Sequence, residues 1–137
     1  MSTYTQIIYQ IVFSTKHRNH VMMDPECRTK LNKYVRAVIK NKNCFPYKIN
    51  GVGNHIHIAT HIHPGVSLSS LVKDIKVSTS LWIKENNIFP AFTGWAVGYG
   101  AFTYTIREKA RLIAYIERQE SHHNIKSYRQ EYIELLK

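Results

Sequence analysis

Apolar and polar positions change period several times along the chain, and each change marks an element. Thr3 to Phe13 is β-rich and roughly alternating, with Ile8, Val12 and the tyrosines supplying strand propensity, and this predicted first strand ends in the basic cluster Lys16, His17, Arg18. Asp24 before Pro25 reads as an N-cap with proline at the first helical position. Leu31, Tyr34, Val35 and Val38 then recur at helical spacing, which predicts a helix from about Pro25 to about Lys40. Tyr47 to Ile49 and Val52 to His63 are strand-like runs on either side of Asn50-Gly51, the dipeptide that best supplies positive φ in a two-residue turn, so they predict an antiparallel hairpin. Ser67 can cap a second helix through Leu68, Leu71, Val72, Ile75 and Trp82 to near Glu85. Trp95 to Thr105 is strand-like again, with Gly98 and Gly100 marking a bulge or a close approach. Thr105 with Glu108 forms a capping box that opens a third helix through Arg111, Tyr115 and Gln119, and Ser127 with Gln130 forms a second box before a short last helix.

The order β, α, β, β, α, β, α, α makes two βαβ-like halves around a central hairpin. It predicts an α+β, ferredoxin-like sandwich: one antiparallel sheet with its helices on one face, plus C-terminal helices. The second face of such a sheet is expected to stay open as a platform. The 137 residues show no break in composition and are expected to form a single domain over 1–137.

Charge then narrows the partner. Lys plus Arg number 19 against 9 Asp plus Glu, a formal charge of +10, so a polyanion is the first partner to expect. Asp24 and Asp74 are the only aspartates, which argues against a centre where several carboxylates clamp two metal ions. Cys27 and Cys44 are too few for a disulfide framework or a four-thiolate zinc site. With an opening segment that lacks the order of a signal peptide, the expectation is a reduced, cytoplasmic protein.

Four of the eight histidines fall within nine residues, Asn54-His55-Ile56-His57-Ile58-Ala59-Thr60-His61-Ile62-His63. On a strand, alternation turns every histidine to one face and Ile56, Ile58 and Ile62 to the other. The isoleucines are expected under helices and His55 and His57 side by side on the open face, about 7 Å apart along the strand. Two neutral imidazoles so placed can share a metal ion; the plain alternative is a solvated polar face. His61 and His63, next to Pro64-Gly65, form a rival pair, otherwise solvent-exposed or DNA-facing.

In the third helix Tyr115 and Gln119 stand four apart and share a face. A tyrosine oxygen can attack a phosphodiester and hold the product as an ester if a metal or cationic group draws charge from the phosphate, and a glutamine carbonyl can complete the metal's ligands without lowering its charge. A surface tyrosine with a hydrogen-bonding neighbour is the alternative at this spacing.

Taken together, His-apolar-His on a strand, WAVGYGAFTYT and YIERQESHH give the chain a recognisable character. It resembles the small single-tyrosine transposases of the HUH endonuclease class, of the insertion sequence 200 type, over nearly its whole length from the Tyr9-Gln10-Ile11-Val12-Phe13 strand. The resemblance implies His55, His57 and Gln119 as metal ligands, Tyr115 as nucleophile and Mg²⁺ or Mn²⁺ as the ion. It also implies a ferredoxin-like fold, and a homodimer that cuts and rejoins single-stranded DNA at hairpin-bearing transposon ends, with the tyrosine helix of one subunit able to serve the other's histidines. Asn54 departs from the family pattern, which often has an acidic residue before the first histidine. Tyr128 and Tyr132 are helix-spaced too, but Gln130 is two residues from each and faces neither, so they read as core or interface residues.

For the nucleic acid, Lys16, His17 and Arg18 are candidates at the end of the first strand, and Lys33, Arg36 and Lys40 form a basic stripe on the first helix. Arg111 on the third helix and His122 or His123, three and four beyond Gln119, are further candidates for phosphate contact. Tyr99 can stack on unpaired bases, and Phe102 either stacks or joins the core. Two other functions compete: a non-catalytic binder of single-stranded DNA or RNA hairpins, which needs only the basic and aromatic platform, and a zinc-storing or zinc-sensing protein built on the four histidines.

Overall fold

The computed structural model describes residues 3–119. In chain order it contains β1 (Ile8–Ser14), α1 (Pro25–Asn41), β2 (Phe45–Gly51), β3 (His55–His61), α2 (Leu68–Glu85), β4 (Gly100–Tyr104) and α3 (Lys109–Glu117). Short 3₁₀ turns cover Lys16–Arg18 and Ile106–Glu108. The second capping box, Tyr128, Tyr132, His122 and His123 lie outside the described residues.

Local chemistry accounts for where the helices start. The Asp24 carboxylate accepts from the amides of Glu26 (2.9 Å) and Cys27 (3.5 Å) with Pro25 opening α1, and those bonds hold its carboxyl below the usual carboxylate range. Ser67 Oγ accepts from Ser70 N at 3.1 Å to start α2. The Thr105–Glu108 capping box forms and launches the 3₁₀ turn that runs into α3.

The sheet order is β2-β3-β1-β4, and every neighbouring pair is antiparallel. With α1 following β1 and α2 following β3, this is the expected ferredoxin-like βαββαβ arrangement. Strand alternation divides the sheet into two faces. On one, Ile11, Phe13, Ile49, Ile56 and Ile58 meet Leu31, Val35 and Ile39 of α1 and Leu71, Val72 and Ile75 of α2 in the main core.

The opposite face is not open. Leu112 and Ile116 of α3 pack there against Ile8 and Ala59, Asn50 Nδ2 donates to the Ile116 carbonyl at 2.8 Å, and Lys48 pairs with Glu117 at 3.4 Å. A helix with apolar residues four apart buries them on the nearest apolar surface, and Ile8 with the small Ala59 supplies it.

The central turn is also displaced from its expected place. Asn50 and Gly51 stay in β2, paired with His57 and Ile56, and the chain reverses over Gly53-Asn54, closed by Val52 N to His55 O at 2.8 Å. Tertiary bonds select this register: Asn50 is held by α3, and Gly51 N donates to Asn32 Oδ1 at 3.1 Å. Gly53 suits the turn because a Cβ there would lie 2.9 Å from both His20 Nδ1 and Met23 Sδ.

The last strand begins at Gly100 rather than Trp95, and β1 begins at Ile8 rather than Thr3. Trp95 makes an isolated bridge with Thr15, packs edge-on against Phe13 at 4.9 Å and donates to Thr79 Oγ1 at 2.9 Å. Gly94 and Gly98, at φ 137° and 90°, turn the segment between, and Lys76 Nζ clamps it by donating to the carbonyls of Ala96 (2.9 Å) and Gly98 (2.7 Å). Burial lowers the Lys76 pKa.

Candidate active site

Residues 8, 10 and 12 of β1 and residues 55, 57 and 59 of β3 share the face that α3 covers, because Val12 pairs with His57 and Gln10 with Ala59. Both predicted imidazoles are therefore buried, His55 at 0% and His57 at 1% exposure, instead of lying on an open platform. Their rings converge: the centroids are 4.9 Å apart and the two Nε2 atoms 3.1 Å apart.

Each outer nitrogen has its own partner. His55 Nδ1 lies 2.8 Å from Asn54 Oδ1, and His57 Nδ1 lies 2.9 Å from Gln10 Oε1. An amide oxygen only accepts, so these two contacts favour the tautomer in which each Nδ1 carries the proton and each Nε2 is turned toward the other. The Asn54 orientation is set independently, since its Nδ2 donates to the Arg18 carbonyl at 3.4 Å. A 3.1 Å approach of two ring nitrogens is satisfied by a shared proton or by a shared cation. Ligand nitrogens about 2.1 Å from one ion and at right angles are about 3.0 Å apart, so the spacing suits a shared divalent ion.

Tyr115 projects from α3 onto this pair, its ring 5.9 Å from that of His57 and nearly perpendicular at 81°. α3 ends at Glu117, and Gln119 follows it across a turn at Arg118, again in helical conformation. It is fully buried, its Nε2 donates to the Tyr115 carbonyl at 3.0 Å, and among the described residues its Oε1 has no hydrogen-bond partner. A buried acceptor without a partner costs stability, and an amide oxygen is a ligand for hard cations. Among the described residues no group of three His, Cys, Asp or Glu side chains could hold a metal ion.

Exchanging Gln119 for leucine separates ligand from scaffold. Gln119→Leu is expected to leave stability within about 1 kcal/mol, because losing the Nε2 bond to the Tyr115 carbonyl offsets removal of the orphaned acceptor, while weakening Mn²⁺ binding. A thermal melt and a Mn²⁺ titration read the two effects; a larger loss of stability would mark the residue as structural.

The rival histidines do not converge in this way. β3 ends at His61, so alternation no longer governs His63, whose Nδ1 accepts from Gly65 N at 2.9 Å, and His61 Nε2 lies 3.5 Å from Thr5 Oγ1.

Of the candidate nucleic-acid contacts, Lys16, His17 and Arg18 form an exposed turn, with His17 and Arg18 in the left-handed region at φ 59° and 56°. The Arg18–Asn54 bond joins this turn to the histidine pair. Lys33, Arg36 and Lys40 lie on α1, across the sheet from the histidines; Lys33 and Lys40 are exposed and Arg36 Nη1 donates to the Pro46 carbonyl at 3.3 Å. The structure thus separates the α1 stripe from the histidine pair. Arg111 is exposed but ion-paired with Glu108 at 3.1 Å. Tyr99 is exposed beside Gly98, while Phe102 is half-buried opposite Gln10.

Sequence reasoning missed Gln10. The available signal was a lone amide in the otherwise apolar run Ile8, Ile11, Val12, Phe13, where burial demands a partner.

Fold and site define a class: a ferredoxin-like domain whose sheet carries a converging histidine pair beneath a tyrosine-bearing helix. The chain belongs to the IS200-like transposase family, whose model, described as "Transposase IS200 like", matches residues 3–119. No curated protein matches it. Among solved structures it is similar to a candidate transposase from Deinococcus radiodurans R1, with a TM-score of 0.67 at 19% identity over 87% of this chain and 95% of that one. It is also similar to a REP-associated tyrosine transposase bound to a REP hairpin, with a TM-score of 0.62 at 14% identity over 90% of this chain and 74% of that one.

Proposed function

We propose that the chain is a transposase that cleaves and rejoins single-stranded DNA ends by transesterification, with Tyr115 as the nucleophile and His55, His57 and Gln119 as ligands of Mg²⁺ or Mn²⁺. The observation that carries this reading is the convergence of the two buried Nε2 atoms, 3.1 Å apart, with the Tyr115 ring packed on His57.

In the proposed reaction the Tyr115 phenol oxygen bonds to phosphorus and the bond from phosphorus to the 3′ oxygen breaks. The 5′ phosphate is left on the tyrosine, and the phenol's proton passes, through solvent, to the freed 3′ oxygen. The ester keeps the bond energy, so a second 3′ hydroxyl can reverse the step and join new ends without ATP. A bound divalent ion would polarise the phosphate oxygens and orient the scissile bond. The chain's own part is to hold the imidazoles in one tautomer, exclude water beneath α3 and keep the phenol against them.

A hairpin as the DNA partner is supported by the hairpin-bound relative and by the exposed basic turn Lys16–Arg18, tied to the site through Asn54. The homodimer implied by the resemblance would place two such sites together. Tyr115 lies against His57 of its own chain, which supports a phenol able to act in cis as well as one supplied by a partner subunit. Among the described residues no helix is long and apolar enough to cross a membrane.

The test is incubation with labelled top and bottom single strands of the chain's own flanking DNA. A protease-sensitive covalent adduct is expected with Mn²⁺ or Mg²⁺ and none in EDTA. Hairpin binding that ignores EDTA, with no adduct under any metal, would replace this reading with a non-catalytic hairpin binder. Tight zinc binding without cleavage would replace it with a zinc protein.

A further inference from the structure

We infer that Gln10 is the positioning residue that fixes His57 as a metal ligand, held in that task by the Tyr104 hydroxyl; the inference rests on the metal reading above. Gln10 is fully buried at the middle of the sheet. β1 lies between β3 and β4, and the Gln10 amide reaches both: its Oε1 meets His57 Nδ1 at 2.9 Å and its Nε2 donates to Tyr104 Oη at 2.8 Å. A leucine would fill an interior strand position without needing partners, and burying an amide costs free energy unless both ends are bonded. Here both ends are bonded, and one of them goes to the imidazole that faces the nucleophile.

The chemical effect follows from what an amide oxygen can do. It accepts the Nδ1 proton and so leaves the Nε2 lone pair aimed at His55. Without it the ring can exchange its proton to Nε2, which removes the donor pair, or turn about its Cβ–Cγ bond. A neutral partner also orients the ring without making it as basic as a carboxylate would, leaving a bound ion more of its charge.

Tyr104 has a second connection. It directly precedes Thr105, the residue that caps the turn leading into α3, so the anchor of Gln10 is also where the tyrosine-bearing helix departs from the sheet. Burial pushes the Tyr104 phenol up while the bond from Gln10 opposes this. The phenol remains a protonated, fixed acceptor for the amide.

The experiment compares unsubstituted protein with Gln10→Leu and Gln10→Glu by two readouts. The ¹⁵N shifts of the His57 ring report its tautomer without metal, and Mn²⁺ titration followed by electron paramagnetic resonance reports affinity without DNA. The unsubstituted protein is expected to show His57 protonated at Nδ1. Gln10→Leu is expected to lose that single tautomer and bind Mn²⁺ about 10–100-fold more weakly, whereas Gln10→Glu keeps the tautomer and binds at least about threefold more tightly. Gln10→Leu with an unchanged tautomer and affinity within about twofold would overturn the inference. If the leucine chain does not fold, Gln10→Glu decides alone, since affinity that fails to rise would also overturn it. Should the unsubstituted protein bind no Mn²⁺, the metal reading fails, and the tautomer measurement still decides whether Gln10 positions His57.

Discussion

Tyr115→Phe is expected to reduce covalent adduct formation with single-stranded DNA by at least about 1,000-fold while leaving hairpin affinity within about twofold. The substitution removes one oxygen and keeps the ring, so the edge-on packing against His57 and the place of Tyr115 beside Leu112 and Ile116 persist. No phosphotyrosine can form without that oxygen. DNA affinity is expected to survive because the substitution removes no positive charge. A denaturing gel reads the adduct and a mobility shift reads the affinity. An adduct that persists in Tyr115→Phe would place the nucleophile elsewhere.

His57→Ala is expected to remove adduct formation to the same extent and to weaken Mn²⁺ binding by at least about 100-fold, since it deletes one of the two converging nitrogens that would hold the proposed ion. It also leaves Gln10 Oε1 and the edge of Tyr115 facing a void, so some stability is lost as well. Binding and stability therefore need separate readouts, a Mn²⁺ titration and a urea melt. His55→Ala provides the internal comparison, because it deletes the other ligand while leaving the Gln10–His57–Tyr115 side of the site in place. Equal losses of Mn²⁺ affinity in the two variants would indicate one shared ion. Retention of affinity in either would divide the pair.

The sequence made the element order, the helix caps and the ferredoxin-like topology readable, because Asp24-Pro25, Ser67 and the Thr105–Glu108 box are local signals that tertiary contacts do not override. The parity of His55 and His57 against Ile56 and Ile58 was readable for the same reason: it depends only on strand alternation. What sequence could not supply was everything set by contacts across the sheet. Asn50-Gly51 carries the stronger turn signal, but Asn32 and the Ile116 carbonyl capture it and the turn moves on to Gly53-Asn54. The open face was expected from the count of helices, whereas the position of Ala59 opposite Leu112 and Ile116 invites a third helix onto it. Gln10 lay outside the reading because its partners come from β3 and β4, far away in sequence. The last-helix residues, with His122 and His123, fall beyond what the structure describes.

The internal use of basic side chains bears on how strongly the protein grips a nucleic acid. Lys76 spends its ammonium on the carbonyls of Ala96 and Gly98, Arg28 directs Nη1 at the carbonyls of Met22 and Met23, and Arg36 reaches Pro46. Lys42 is matched by Asp74 at 2.6 Å. Counterions are released only by cations that reach phosphates, so the formal +10 overstates the ionic-strength sensitivity of this surface. A good part of the excess positive charge works as mortar for loops and strand ends, and the remainder sets the electrostatic reach toward a polyanion.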